Sequence, residues 1–266
     1  MKVRLVPSFA VAAACLLATT ALADDQADFW IAKARAALGT EEALNAVNSV
    51  RFVGTVETVE KVPDKDDPSK MVDHPVRLAI DIVFAKPYRE LYVLRSDKVT
   101  ETTALDDYDG WLRRVENGHE DHWQLRLLSA AQIKQLRAST WENLAFYRGI
   151  EKLGGRVEFK GDGEVDGKPC VILVFEHSDS INYTRYFEKA TGLLLKTTTE
   201  STQIQEQGSV IINGVRFPKA LINKPAGSPA ATISFDAIKV NEVIPASAFA
   251  MPDGPPESAS SPAPAH

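Results

Sequence analysis

Apolar and polar positions alternate with a period of two over most of this chain, and the alternating runs are short. Between Gly155 and Pro218 the runs Cys170–Phe175, Ile181–Phe187, Leu193–Thr198 and Val210–Ile212 are separated by Asp162-Gly163, Asp166-Gly167, Thr191-Gly192 and Asn213-Gly214. Such dipeptides supply the positive φ angles of tight hairpins. The pattern predicts a continuous antiparallel meander running to about Met251. The first half predicts further strands over Val50–Val62, Val76–Phe84, Tyr88–Arg95, Val99–Leu105 and Trp111–Val115. A charged loop at Lys61–Asp73 interrupts them, with a step at Lys86-Pro87 and turns at Asp109-Gly110 and Asn117-Gly118.

Two stretches carry helical periodicity instead. Asp25–Leu38 places Phe29, Trp30, Ala34, Ala37 and Leu38 on one face, and Gly39 ends it. Thr40 then caps a short second helix whose first turn holds Glu41 and Glu42, where the helix dipole favours negative charge. Ser129–Leu153 carries two capping boxes, Ser129 with Gln132 and Ser139 with Glu142, so two helices are expected to meet near Ser139. Ile133, Leu136, Leu144, Tyr147 and Ile150 form their apolar stripe. Nothing between these segments reads as a linker, which leaves one domain over residues 24–252.

The ends differ from the middle. Met1-Lys2-Val3-Arg4 is basic, Leu5 to Ala21 is free of charge, and Ala21-Leu22-Ala23 closes the run with small residues ahead of Asp24-Asp25. This is the layout of a secretory signal peptide over residues 1–23, cut after Ala23. Cys15 raises the alternative of a lipidated cysteine, but Ala12-Ala13-Ala14 lacks the large aliphatic residue of such a site. Residues 253–266 are nearly all Pro, Ser, Ala and Gly and are expected to be a disordered tail.

Charge narrows the function. The chain carries 30 basic and 36 acidic residues; losing Lys2 and Arg4 with the signal peptide takes the net charge from −6 to −8. Such a balance excludes nucleic acid as a partner, because phosphate binding needs a basic face. Cys170 is the one cysteine left after cleavage, so no intrachain disulfide is expected and it reads as a buried small hydrophobe. His119-Glu120-Asp121-His122 lacks a third histidine and a zinc motif, and Asp106, Asp107 and Asp109 do not follow calcium-loop spacing. No Gly-x-Ser-x-Gly elbow is present. Neither an enzyme nor a cofactor or metal is expected.

The order of several weak motifs carries a resemblance: Gly155-Arg156-Val157-Glu158-Phe159, Val165-Asp166-Gly167, Tyr186-Phe187-Glu188, Thr191-Gly192-Leu193-Leu194, Ile212-Asn213-Gly214-Val215-Arg216-Phe217-Pro218, Val240-Asn241 and Phe249-Ala250-Met251-Pro252, preceded by Lys86-Pro87 and Asp109-Gly110-Trp111. In this order the chain resembles bacterial outer-membrane lipoprotein-sorting proteins of the LolA-like superfamily of periplasmic lipid and lipoprotein carriers. Its Asp109-Gly110-Trp111 is tighter than the family's usual spacing. The resemblance implies an α+β fold: an incomplete, strongly curved antiparallel β-barrel with helices covering the open side, over an apolar cavity that receives acyl chains. It places Lys86 at the basic-Pro step that holds the lid or engages cargo. Phe52, Phe84, Trp111, Trp141 and Phe146 are the candidate lining residues. Each buried methylene contributes roughly 0.8 kcal/mol, so an acyl chain is strongly driven into a dry pocket. The implied partners are a lipid or the acyl chains of a lipoprotein, with membrane donor and acceptor proteins, and the chain is expected to be a monomer in the periplasm. The alternative is an envelope sensor that uses the same scaffold to bind a protein.

Overall fold

A computed structural model describes the backbone of residues 12–253 and the side chains of residues 25–119 and 123–253. The start of the expected signal peptide, the side chains of Cys15, Glu120, Asp121 and His122, and the expected tail beyond Asp253 lie outside this description. The first half holds α1 (Ala12–Leu38), α2 (Glu41–Asn45), β1 (Ser49–Pro63), β2 (Met71–Ala85), β3 (Arg89–Arg95), β4 (Val99–Asp106), β5 (Asp109–Glu116) and β6 (His119–Leu127). Then come α3 (Ala130–Leu144), a 3-10 turn (Ile150–Leu153), β7 (Arg156–Val165), β8 (Lys168–Ser178), β9 (Ile181–Glu188), β10 (Leu194–Thr198) and β11 (Thr202–Gln207). The chain closes with β12 (Val210–Ile212), β13 (Val215–Phe217), β14 (Ala220–Pro225), β15 (Ala231–Val240) and a 3-10 turn (Ala246–Ala248).

Thirteen strands form one antiparallel sheet in the order β6-β5-β4-β3-β2-β1-β15-β14-β11-β10-β9-β8-β7, and β12-β13 is a separate hairpin. The last long strand, β15, pairs with the first, β1, and so joins two meanders into one surface. The sheet does not close: β6 and β7 are its edges. Both edges carry charged residues along their length, which discourages edge-to-edge pairing.

The sheet is bent. Helix α3 touches β3 on one arm and both β8 and β9 on the other, through Thr140 to Glu90 and through Glu142 to His177 and Arg185. Seven strand spacings separate β3 from β9, about 34 Å if the sheet were flat. A helix with its side chains is about 10–12 Å across, so the two arms must curl toward each other. Register shifts at Val53/Gly54, Phe159/Gly161 and Leu194/Lys196 supply bends of the kind bulges make.

Two packed clusters fill the concave side. One joins Ala27, Ile31 and Ala34 of α1 to Val171, Leu173, Phe175 and Phe187 of β8 and β9, with Trp141, Tyr147 and Ile150. The other joins Leu44 and Val47 to Val50, Phe52, Phe84, Leu144, Phe146, Val215 and Phe217. Burying each large side chain contributes roughly 1.5–3 kcal/mol. The α1 stripe is Ala27, Ile31 and Ala34 with Trp30 and Leu38 packed beside it, whereas Phe29, expected on the same face, stays 62% exposed and rests edge-on against Trp30.

Local corrections follow from the backbone. Asp107 and Tyr108, not Asp109-Gly110, form the β4–β5 turn, with Asp107 at φ 56°. Gly110 lies inside β5 because a Cβ there would sit 2.9 Å from Leu128 Cδ1 and 3.2 Å from Ile133 Cγ1. Asp162-Gly163 is also within a strand, paired with Val171 and Cys170. The Lys61–Asp73 loop shrinks to residues 64–70, since β1 and β2 pair as far as Pro63↔Met71. The Ser129 capping box forms, but α3 runs through Ser139 unbroken, because Glu142 turns away from that cap to ion-pair with Arg185. The Asp166-Gly167 and Asn213-Gly214 turns have both residues at positive φ, as expected.

Candidate functional site

Helix α3 is the element laid across the mouth of the bent sheet, and polar contacts pin it along its length. At its midpoint Arg137 meets the Asp107 carboxylate and lies 3.9 Å from the ring centroids of both Tyr88 and Tyr108. About one turn further on, the Thr140 hydroxyl donates to Glu90 Oε2 at 3.3 Å. Closer to its end, Glu142 Oε1 lies 2.6 Å from His177 Nε2, and Oε2 meets the Arg185 guanidinium. Past its end, Arg35 of α1 donates to the carbonyls of Ala145 (3.0 Å) and Phe146 (2.7 Å), the first of which also accepts from the Arg148 N–H at 3.3 Å. Arg35 is 2% exposed and also makes a two-bond pair with Glu41, both 2.7 Å long. Phe146 and Tyr147 follow in the left-handed region at φ 49° and 71°, a conformation that costs about 1–3 kcal/mol for bulky residues unless neighbours enforce it. Arg35 holds the carbonyl of the first of them, Phe146.

Beneath the helix the concave face is polar as well as apolar. Arg185 lies over the rings of Phe175 (4.7 Å), Tyr147 (4.9 Å) and Tyr183 (5.8 Å), an aromatic cage around a buried cation. Burial pushes the Glu90 carboxyl up to about 7. The Glu206 side chain of β11 is solvent-exposed, yet the protein around it raises its carboxyl to about 7 by desolvation, against the pull of Arg185. Desolvation also raises the Tyr147 and Tyr183 hydroxyls.

A furrow runs along one side of α3. Ala130, Ile133, Lys134, Arg137, Ala138, Trp141 and Leu144 recur at helical spacing and line it. It consists of two adjoining clefts of about 650 and 420 Å³, which share Tyr88, Lys152 and Leu153. From Ala130 to Ala145 the helix rises about 22 Å at 1.5 Å per residue. Both volumes fall in the range of small-molecule sites.

Three solved structures share this architecture. A DUF1329 family protein from Desulfovibrio piger matches with a TM-score of 0.50 at 10% identity, over 84% of this chain and 96% of that one. A domain from Vibrio parahaemolyticus assigned as an outer membrane lipoprotein-sorting protein matches at 0.50 and 8%, over 84% and 97%. A LolA superfamily protein from Nitrosomonas europaea matches at 0.51 and 11%, over 82% and 97%. The fold is LolA-like. No protein-family model matches the sequence, and no curated protein matches it either.

Within this LolA-like frame the expected site residues divide. Phe52, Phe84 and Phe146 belong to one packed cluster, where Phe52 stacks against Phe84, Phe217 and Phe235 with centroids 4.8–6.3 Å apart. Phe146, Trp141 and Lys86 also line the smaller cleft. Lys86 is exposed, and burial of its surroundings with the nearby Arg35 charge lowers its ammonium from the usual range. Trp111 is not with the others. Gly110 faces α3, so by strand alternation Trp111 faces the opposite side, where its Nε1 donates to the Phe249 carbonyl at 3.0 Å.

Sequence reasoning missed Arg35, Glu90, Glu142, Arg185 and Glu206. For two of them a signal existed. Arg185 occupies the apolar phase of Ile181, Tyr183 and Phe187, and Glu90 shares a phase with Tyr92 and Leu94; a charge on the buried phase of a strand marks an interior partner. The partners themselves come from distant segments. Among the described residues no group of three His, Cys, Asp or Glu side chains could hold a metal, and no helix is long and apolar enough to cross a membrane.

Proposed function

We propose that the mature chain is a periplasmic carrier that takes up the acyl chain of a lipid or lipoprotein, and hands it from a membrane donor to an acceptor without covalent chemistry. The observation that carries this reading is the furrow along α3, with its apolar wall of Ala130, Ile133, Ala138, Trp141 and Leu144. The LolA-like fold supports it, as does the pinning of α3 by a few separate polar contacts that can break and re-form. The concave face under α3 is packed, with Leu173, Phe175 and Phe187 fully buried, so uptake beyond the furrow requires the helix to lift. The cluster of Glu142, His177 and Arg185 has the ionisable groups that an active site would also need. We read it as the latch of α3, because its side chains are 4–8% exposed and ion-pair with one another across three elements.

The test is a reversible lock. A Cβ at Gly110 would lie 3.2 Å from Ile133 Cγ1, so Gly110→Cys with Ile133→Cys brings two sulfurs within disulfide reach and locks α3 to the start of β5, beside the β4–β5 turn. The expected result is that the oxidised protein binds a fluorescent fatty acid at least about tenfold more weakly than the reduced protein, because one tenfold step is about 1.4 kcal/mol of a closed helix. Equal binding in both states contradicts helix-gated uptake.

A further inference from the structure

Although the chain has more acidic than basic residues, the furrow does not. Its walls carry Lys86, Lys134, Lys152, Arg35, Arg137 and Arg148, and no Asp or Glu lines either cleft. The arginines are paired from outside: Arg35 and Arg148 share Glu41, and Arg137 meets Asp107. The three lysines make no ion pair among the described residues. Lys152 stands at the junction of the two clefts, with Lys86 in one and Lys134 in the other. A run of unpaired ammonium groups over an apolar wall is held together against its own repulsion. It is relieved by an anion that arrives with a hydrocarbon part attached.

Building on the carrier reading, we propose that the furrow is selective for an anionic amphiphile, a single molecule whose acyl chain lies along Ile133, Ala138, Trp141 and Leu144 and whose phosphate-type headgroup is held by Lys86 and Lys152, with Lys134 flanking. The geometry orients the ligand. The chain follows the helix, and the charge sits at the Tyr88–Lys152–Leu153 junction, where both clefts open on the same lysine. An acyl chain provides affinity without discrimination, since every chain of equal length buries the same methylenes. The lysines discriminate, because a zwitterionic headgroup brings its own cation to them. Free anions lack the chain and gain only the exposed, salt-screened attraction.

The experiment titrates the full mature chain with lysophosphatidylglycerol, with lysophosphatidylcholine of the same acyl length, and with inorganic phosphate, following tryptophan emission and heat. The expected result is binding of the anionic lysolipid about tenfold tighter than the zwitterionic one at low ionic strength. That preference should shrink in roughly 0.5 M salt, where the Debye length is well below its physiological value of about 8 Å. Lys86→Gln with Lys152→Gln should bring the two lysolipids to the same affinity. Both side chains are exposed, so the variant should keep its fold. Equal affinity for the two lysolipids in the unmodified protein overturns the headgroup inference and leaves the carrier reading standing. Binding of inorganic phosphate as tightly as the anionic lysolipid overturns it too, because the site would then be an anion site alone. Failure of both lysolipids to bind overturns the inference together with the carrier reading.

Discussion

Glu142 Oε1 lies 2.6 Å from His177 Nε2 while its other oxygen meets Arg185, so one carboxylate on the covering helix joins two neighbouring strands. Removing one partner of a buried pair leaves the other charge unsatisfied, which is destabilising by about 3–5 kcal/mol. Glu142→Ala is expected to lose that much in urea unfolding, and Glu142→Gln less, since the amide still accepts one hydrogen bond. Wild-type stability in Glu142→Ala would mean that the pair does not hold the helix.

Glu90 and Glu206 make stability depend on pH in a definite direction. Desolvation raises both from 4.5 to about 7, with Glu90 buried and Glu206 exposed to solvent. Between those values the folded protein keeps protons that the unfolded chain has released. Stability is therefore full below about pH 4.5, falls as pH rises through 7, and levels off above. Glu90, 6% exposed, carries the larger share, at most about 3 kcal/mol; Glu206 contributes less because water reaches it. Glu41, held low by its hydrogen bond to Arg35, acts in the opposite sense only at more acid pH. Denaturant midpoints from pH 5 to 8 should decline in the wild type and decline less in Glu90→Gln; identical slopes would contradict the assignment.

Arg35 ties α1, α2 and the end of α3 together with four hydrogen bonds. Lysine keeps the charge but not the planar fork. Arg35→Lys is expected to lose about 2 kcal/mol or more of stability and to speed amide exchange in residues 141–147. Exchange that rises uniformly over the whole chain, with no excess in that segment, would contradict a local capping role.

Gly54 sits where β1 passes between the two meanders, and a Cβ there would fall 1.9 Å from the Ser234 carbonyl oxygen. That obstacle is backbone and cannot rotate away. Gly54→Ala is expected to be among the more damaging single substitutions, above about 2 kcal/mol, measured by thermal unfolding. A loss within about 0.5 kcal/mol would show that β15 can shift freely.

Much of this fold is legible because hairpin chemistry is local. Asn213-Gly214 and Asp166-Gly167 declare their turns, Ser129 and Gln132 declare the start of α3, and alternation declares the strands. The failures have local causes as well. Asp109-Gly110 resembles a turn, yet its glycine is there for contact with Leu128 and Ile133 across the sheet. Ser139 and Glu142 resemble a cap, yet the glutamate is drawn to Arg185, 43 positions later in the chain. Phe52, Phe84, Trp111, Trp141 and Phe146 stand out in the sequence as lining candidates, but alternation alone does not say which face of the sheet Trp111 takes. The latch and the furrow were not legible, because Arg35, Glu90, Glu142 and Arg185 meet only once the sheet has bent.

Native mass spectrometry of the protein released gently from the periplasm of its own cells tests carriage most directly. The account predicts a population heavier than the polypeptide by the mass of one acyl-bearing molecule, released intact on collisional activation and lost when the lock between α3 and the start of β5 is closed before cargo is loaded. A bare polypeptide mass from cells in which the unlocked protein is active would contradict it.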